Sequence, residues 1–346
     1  MKTNNKYILK IITVTLGIFF CIYCILYNGL SYDQIFHIQN GERRLKYLFS
    51  LGNYNYYDIL HLRYYPGLYD TISALLASSF PRNFYYEGYY LINFLTGLLG
   101  ICGLKKVIKF FFGATVSKIF FIISIFSPLY FGHLAINPKD TIIATANFWV
   151  LYYVIKYLKS ESVSRRKDIS IKIGLFVGLG TGVRVLFLGT LIPIIFFLFV
   201  EIFFIKRISK KVNFKSFLFH IFLIIFIAYT LLIICWPNTH NNIIWDPFVV
   251  FFQSLNDSSQ GVQLSYFVGK FYQTSNTPWN YIPLNLFYKM PVFYLIIFLL
   301  GITHLREINK CVYKNSNFFY YSYISLFFLC TPVLIAVFLN LKIHDG

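Results

Sequence analysis

"GHLAINPKDTIIATANFW" (residues 132–149) stops one apolar run with four residues, Asn137-Pro138-Lys139-Asp140, and begins another at once. Asn137 is a favoured helix N-cap, Pro138 fits the first helical position, and Asp140 falls at N3, as in a capping box. These three residues read as the start of a helix between two apolar segments. Lys139 is not explained by capping. Beside exposed helix N–H groups it makes a phosphate cradle, or it is a lysine that snorkels along an apolar surface.

Apolar runs of this kind recur along the whole chain. Of its 346 residues 57% are hydrophobic, 21% aromatic and only 13% charged. A soluble domain of this length carries far more charge, whereas about 20 apolar residues make one membrane crossing. The expected fold is all-α: a single polytopic transmembrane helix bundle of about nine spans, at 8–27, 86–104, 119–136, 141–158, 171–187, 188–205, 216–236, 286–304 and 318–340. The first span follows a basic start but lacks a small-residue cleavage site, and it reads as a retained anchor.

The net charge of +18 orients such a bundle. With the N-terminus cytoplasmic, 21 of the 31 basic residues fall on inner segments, and 9 of the 13 acids fall outside. That is the positive-inside pattern of a multi-pass protein of the cell membrane, not a nucleic-acid footprint. The six cysteines add little, since Cys21 and Cys24 lie in an apolar run without the polar setting of a metal or redox motif.

Polar residues gather in two long outer loops, 28–85 and 237–285. In the first, Ile35, Ile38, Leu45 and Leu48 fall on one helical face, and Leu68, Ile72, Leu75 and Leu76 do the same after Pro66. Both stretches read as amphipathic helices lying on the membrane surface, as does "DPFVVFFQSL" (246–255) in the second loop. Asp33 follows the first span with His37 one helical turn on, a spacing that suits a base with its orienter, or two metal ligands. The bland alternative is a solvated carboxylate and a partly buried histidine. Arg184 sits in the glycine-rich "GLGTGVRVLFLG" (178–189), where glycines allow close helix packing and an arginine pairs with an acid, a phosphate or headgroups. Tyr64, Tyr65, Trp236, Trp245 and Trp279 fit an interfacial aromatic belt, with stacking on a sugar the sharper alternative.

Taken in order, "YDQIFHIQNGE" (32–42), "RYYPGLYD" (63–70), "GHLAINPKDTI" (132–142), "GTGVRVLFLG" (180–189), "CWPNTHNNIIWDPFVVF" (235–251) and "YFVGKFYQTSNTPWNYIPLNLFYKMPVFYL" (266–295) resemble landmarks of the GT-C superfamily of polytopic glycosyltransferases. The resemblance is to the branch of dolichyl-phosphate-mannose–protein mannosyltransferases and lipid A aminoarabinose transferases, and it covers about residues 28 to 346. It implies a polyprenyl-phosphate-linked sugar as donor, transfer on the outer face to a glycan, lipid or protein, and inversion at the anomeric carbon. Carried over by position, Asp33 is the catalytic base. His37, Tyr64, Tyr65, Lys139, Asp140, Arg184 and Trp279 are the candidate substrate-binding residues, with Lys139 and Arg184 aimed at the donor phosphate. No cofactor is assigned beyond this donor substrate, and a divalent metal is left open. Where the family often has Asp-Glu, this chain has Asp33-Gln34. It ends on "LKIHDG", the first half of a D-G-x-R-H motif that similar proteins continue, so a truncated gene is expected. The rival readings are a transporter or flippase of lipid-linked saccharides, which would place its ionisable groups near the midplane, and a noncatalytic remnant.

Overall fold

The computed structural model describes residues 2–27, 29–57, 59–205, 212–255, 264–273, 276–304, 307 and 318–338. The His344-Asp345-Gly346 end therefore lies outside the described residues, as does the basic stretch 206–211. The helices are α1 (Lys2–Leu26), α2 (Tyr32–Phe49), α3 (Leu68–Ala77), α4 (Tyr85–Ile125), α5 (Pro128–Ile136), α6 (Asp140–Lys159), α7 (Val163–Val183), α8 (Phe187–Val200), α9 (Phe214–Ile234), α10 (Asp246–Leu255), α11 (Tyr281–Lys289), α12 (Val292–Thr303) and α13 (Phe318–Phe338). Among the described residues one antiparallel hairpin, β1 (Leu264–Phe267) and β2 (Lys270–Gln273), interrupts them. The all-α expectation holds.

Among the described residues, four helices are long and apolar enough to cross a membrane: Arg82–Ile125, Asp140–Lys159, Phe187–Ile205 and Phe214–Ile234. A fifth is reached if α11 and α12, bent by 100°, count as one. The difference from nine has local causes. Helix α4 consists of two helical pieces that meet at a kink at Gly113 (φ 83°), the first holding the expected span 86–104 and the other running into the second expected span, 119–136. The rest of the second is α5, which starts afresh at Pro128. The expected span 286–304 is broken at Met290-Pro291, because proline has no N–H to continue a helix. Helix α7 ends at Val183, with Arg184 already extended.

Helix α6 forms the centre, its residues Ala146, Val150, Leu151, Val154 and Leu158 packed with Ile173 and Val177 of α7 and Leu191 and Ile194 of α8. Glycines set the closest approaches, as their clustering in the sequence suggested. A Cβ on Gly100 would stand 3.0 Å from the Thr145 backbone, and one on Gly178 3.2 Å from the Ala228 backbone. Many large apolar side chains, such as Phe196, Phe222, Ile192 and Phe298, remain more than half exposed.

Helices α2 and α3 bury part of their apolar faces, with Ile38 and Leu68 each 4% exposed, but they bury polar side chains as well. Helix α2 buries Gln34, His37, Asn40 and Arg44, while Ile35 is 39% exposed. Helix α3 buries Asp70, Thr71 and Ser73 and leaves Ile72, Leu75 and Leu76 exposed. Their polar side chains meet each other, and α3 turns Ile72, Leu75 and Leu76 outward while Leu68, Tyr69, Ala74 and Ala77 stay buried. Hydrogen bonds among His37, Asn40, Arg44 and Asp70 make the burial of these four tolerable.

Candidate functional site

The Asn137-Pro138-Lys139-Asp140 link joins the end of α5 to the start of α6. Asn137 Oδ1 accepts the backbone N–H groups of Lys139 (3.1 Å) and Asp140 (2.9 Å), and its Nδ2 donates to Asp140 Oδ2 (3.1 Å). Asn137 thus ties down the backbone ahead of α6, but the N-cap position is Lys139 rather than Asn137 and the first helical residue is Asp140 rather than Pro138. This arrangement leaves the Lys139 side chain free of local duties. Its Nζ donates to Asp33 Oδ2 at 2.7 Å, a contact across 106 residues of sequence. The Asp33 side chain is 60% exposed and that of Lys139 is 23% exposed, so the pair lies open on the surface. Exposed pairs of this kind add little stability, and holding the two groups together is its main consequence.

Asp33 and His37 part company within one helical turn. Asp33 faces outward, whereas His37 is buried and its Nδ1–H donates to both Asp70 carboxylate oxygens, at 2.9 and 3.0 Å. The expected pairing of Asp33 with His37 as base and orienter, or as joint metal ligands, is therefore not what this helix builds. Among the described residues no three His, Cys, Asp or Glu side chains gather to hold a metal ion.

Asp70 also accepts from Asn40 Nδ2 (3.0 Å), and Asn40 Oδ1 accepts from Arg44 Nε (3.2 Å) and from the Tyr56 hydroxyl (3.2 Å). Arg44, wholly buried, donates to the carbonyls of Tyr65 (2.7 Å), Leu62 (3.2 Å), Cys235 (2.6 Å) and Pro66. It so ties the segment 28–85 to the end of α9. Gly67, at φ 72°, gives this guanidinium room, since a Cβ there would stand 2.6 Å from its central carbon. Burial works against a charge on Asp70, but the charge and hydrogen bond of His37, with Asn40 and Arg44 behind, outweigh it and hold the carboxyl below its ordinary value. The neighbouring Tyr69 hydroxyl is pushed up by burial and donates to Asn93 Oδ1 (2.8 Å).

Tyr65 links this buried network to Arg184. Its ring meets His37 edge-on at 6.4 Å between centroids, and Arg184 lies 5.6 Å over it and donates to its hydroxyl at 3.3 Å. Asp33 and Lys139 thus form one pair, and His37, Tyr65 and Arg184 form a second connected set. Asp140 sits beside the pair, held by Asn137. Tyr64 packs elsewhere, against Leu232, Trp236 and Val250 under the Arg63 guanidinium. Trp279 is 76% exposed, and no contact among the described residues joins it to either group.

Asp70, Asn40, Arg44 and Gln34 were not singled out from sequence. A signal existed, because Gln34, His37, Asn40 and Arg44 recur at helical spacing and form a polar stripe on α2. A carboxylate in water's reach beside a lysine, with an arginine on a nearby aromatic ring, can accept a proton and can bind an anionic group. Compared with known protein families, curated proteins and solved structures, the chain matches none of them.

Proposed function

We propose that this protein is a membrane glycosyltransferase that moves a sugar from a polyprenyl-phosphate donor to a hydroxyl on a glycan, lipid or protein acceptor at the outer face, with inversion. The observation that carries the reading is the exposed 2.7 Å pair of Asp33 and Lys139. Transfer requires that the acceptor hydroxyl lose a proton while a lipid phosphate leaves. Asp33 takes the proton, and Lys139 and Arg184 neutralise the phosphate. A donor phosphate competes with Asp33 for the lysine, so donor binding draws Lys139 away and frees the carboxylate to act as base. The abundance of apolar helices and exposed apolar side chains supports a membrane site. In this reading nine apolar segments cross the bilayer, the N-terminus is cytoplasmic, and the polar loops 28–85 and 237–285 carry the site outside.

The test is turnover by the full chain reconstituted in liposomes and offered a panel of polyprenyl-phosphate hexoses and pentoses. Asp33→Asn removes the proton acceptor and lowers kcat by ~10²-fold or more. Lys139→Ala chiefly raises the donor KM. Wild-type turnover by the Asp33→Asn protein overturns the assignment.

A further inference from the structure

Directly behind the Asp33–Lys139 pair lies a small cavity between α2, α3 and α4. Its walls include Gln34, His37, Asp70, Ser73, Asn93 and Pro138, and its volume is ≈ 10 Å³. Two of these residues adjoin the pair in sequence, Gln34 next to Asp33 and Pro138 next to Lys139.

The hydrogen-bonding capacity of this cavity is unevenly used. Asn93 is engaged on both sides, donating to the Ala135 carbonyl (3.1 Å) and accepting from Tyr69. Asp70 is held by His37 and Asn40. Gln34 is 1% exposed, yet neither its amide oxygen nor its amide nitrogen has a protein partner; the hydroxyl of Ser73, 3% exposed, stands near the Tyr69 hydroxyl but makes no hydrogen bond of good geometry. A buried amide offers two donors and two acceptors, and native interiors seldom leave such groups unmet. A space of this size takes one water, and a buried water needs two to four polar partners.

We propose that the cavity is a binding site for a single buried water, which bridges the Gln34 amide and the Ser73 hydroxyl and fastens the first turn of α2 to α3 behind the Asp33–Lys139 pair. The geometry accounts for a glutamine at this position. A neutral amide can both donate to and accept from a water, whereas a second carboxylate would bring like charge close to Asp70. The inference stands whether or not the protein transfers sugars.

Two measurements on the full chain test it. In a map of the nanodisc-embedded protein fine enough to show waters, one peak is expected within about 3.2 Å of both the Gln34 amide and Ser73 Oγ. A dry cavity, or a Gln34 amide turned onto a protein group, overturns the proposal. The second measurement is a thermal-unfolding cycle of Gln34→Leu, Ser73→Ala and the double variant. A shared water couples the two positions, so the double variant should lose less melting temperature than the two single losses added together. Strict additivity overturns the proposal. Neither readout depends on enzymatic activity.

Discussion

The buried carboxylate of Asp70 holds the polar centre of the segment 28–85 together. Asp70 receives His37, Asn40 and, through Asn40, Arg44, and this environment depresses its proton affinity. A folded-state pKa below the unfolded value contributes stability that is present above the unfolded value and lost as pH falls through the folded one. With an unfolded carboxylate near 3.9, the contribution of Asp70 should be complete at neutral pH and fade below about pH 4. Melting of detergent-solubilised wild type and Asp70→Asn measures it. The gap between the two should be constant from pH 7 to about pH 5 and narrow in stronger acid. A gap that widens on acidification contradicts the assigned sign.

At the scale of elements, the contact of α2 with α3 depends on one position without a side chain. Gly41 lies where the helices cross, and a Cβ there would run into the Asp70 carbonyl oxygen and stand 2.7 Å from its carbon. Gly41→Ala should therefore force the helices apart and cost about 1–3 kcal/mol, the usual scale of overpacking. Gly132 of α5 is the control, because nothing lies within 4 Å of a Cβ added there. Gly132→Ala should be neutral or stabilising by up to ~1 kcal/mol, since alanine is the better helix former. Equal losses for the two substitutions, read by thermal unfolding, would remove the steric argument. Much at this scale was legible beforehand. Asn137 as the residue that ties down the start of α6, and the glycines as points of close approach, follow from chemistry within a few residues. The break at Met290-Pro291 was equally visible as a proline, yet the apolar run on either side hid it.

For the whole molecule, the charge census predicts sidedness. Ser164, exposed at the start of α7, falls on the inner side, and Asn53, exposed between α2 and α3, falls on the outer side. In a background without native cysteines, an impermeant thiol reagent applied to intact cells should modify Asn53→Cys. It should reach Ser164→Cys only after permeabilisation. The reverse result would put Asp33 and Lys139 on the inner face and end the proposed mechanism.

What the chain determines by itself is a helical, strongly apolar molecule with its polar residues collected in two stretches, because hydropathy, capping and helix periodicity are local properties. Which side chains of α2 and α3 are buried was decided only in three dimensions. A periodic pattern marks two faces but does not say which is inside, and where lipid rather than water bathes the surface part of an apolar face can turn outward. Ile72, Leu75 and Leu76 do so, and Gln34, His37, Asn40 and Arg44 turn in. The meeting of Asp33 with Lys139, and of Tyr65 with Arg184, was likewise settled by tertiary structure. Residues 106 and 119 apart in sequence share no local rule, and only the packing of α2 beside the α5–α6 link and of the first loop beside α7 brings them together.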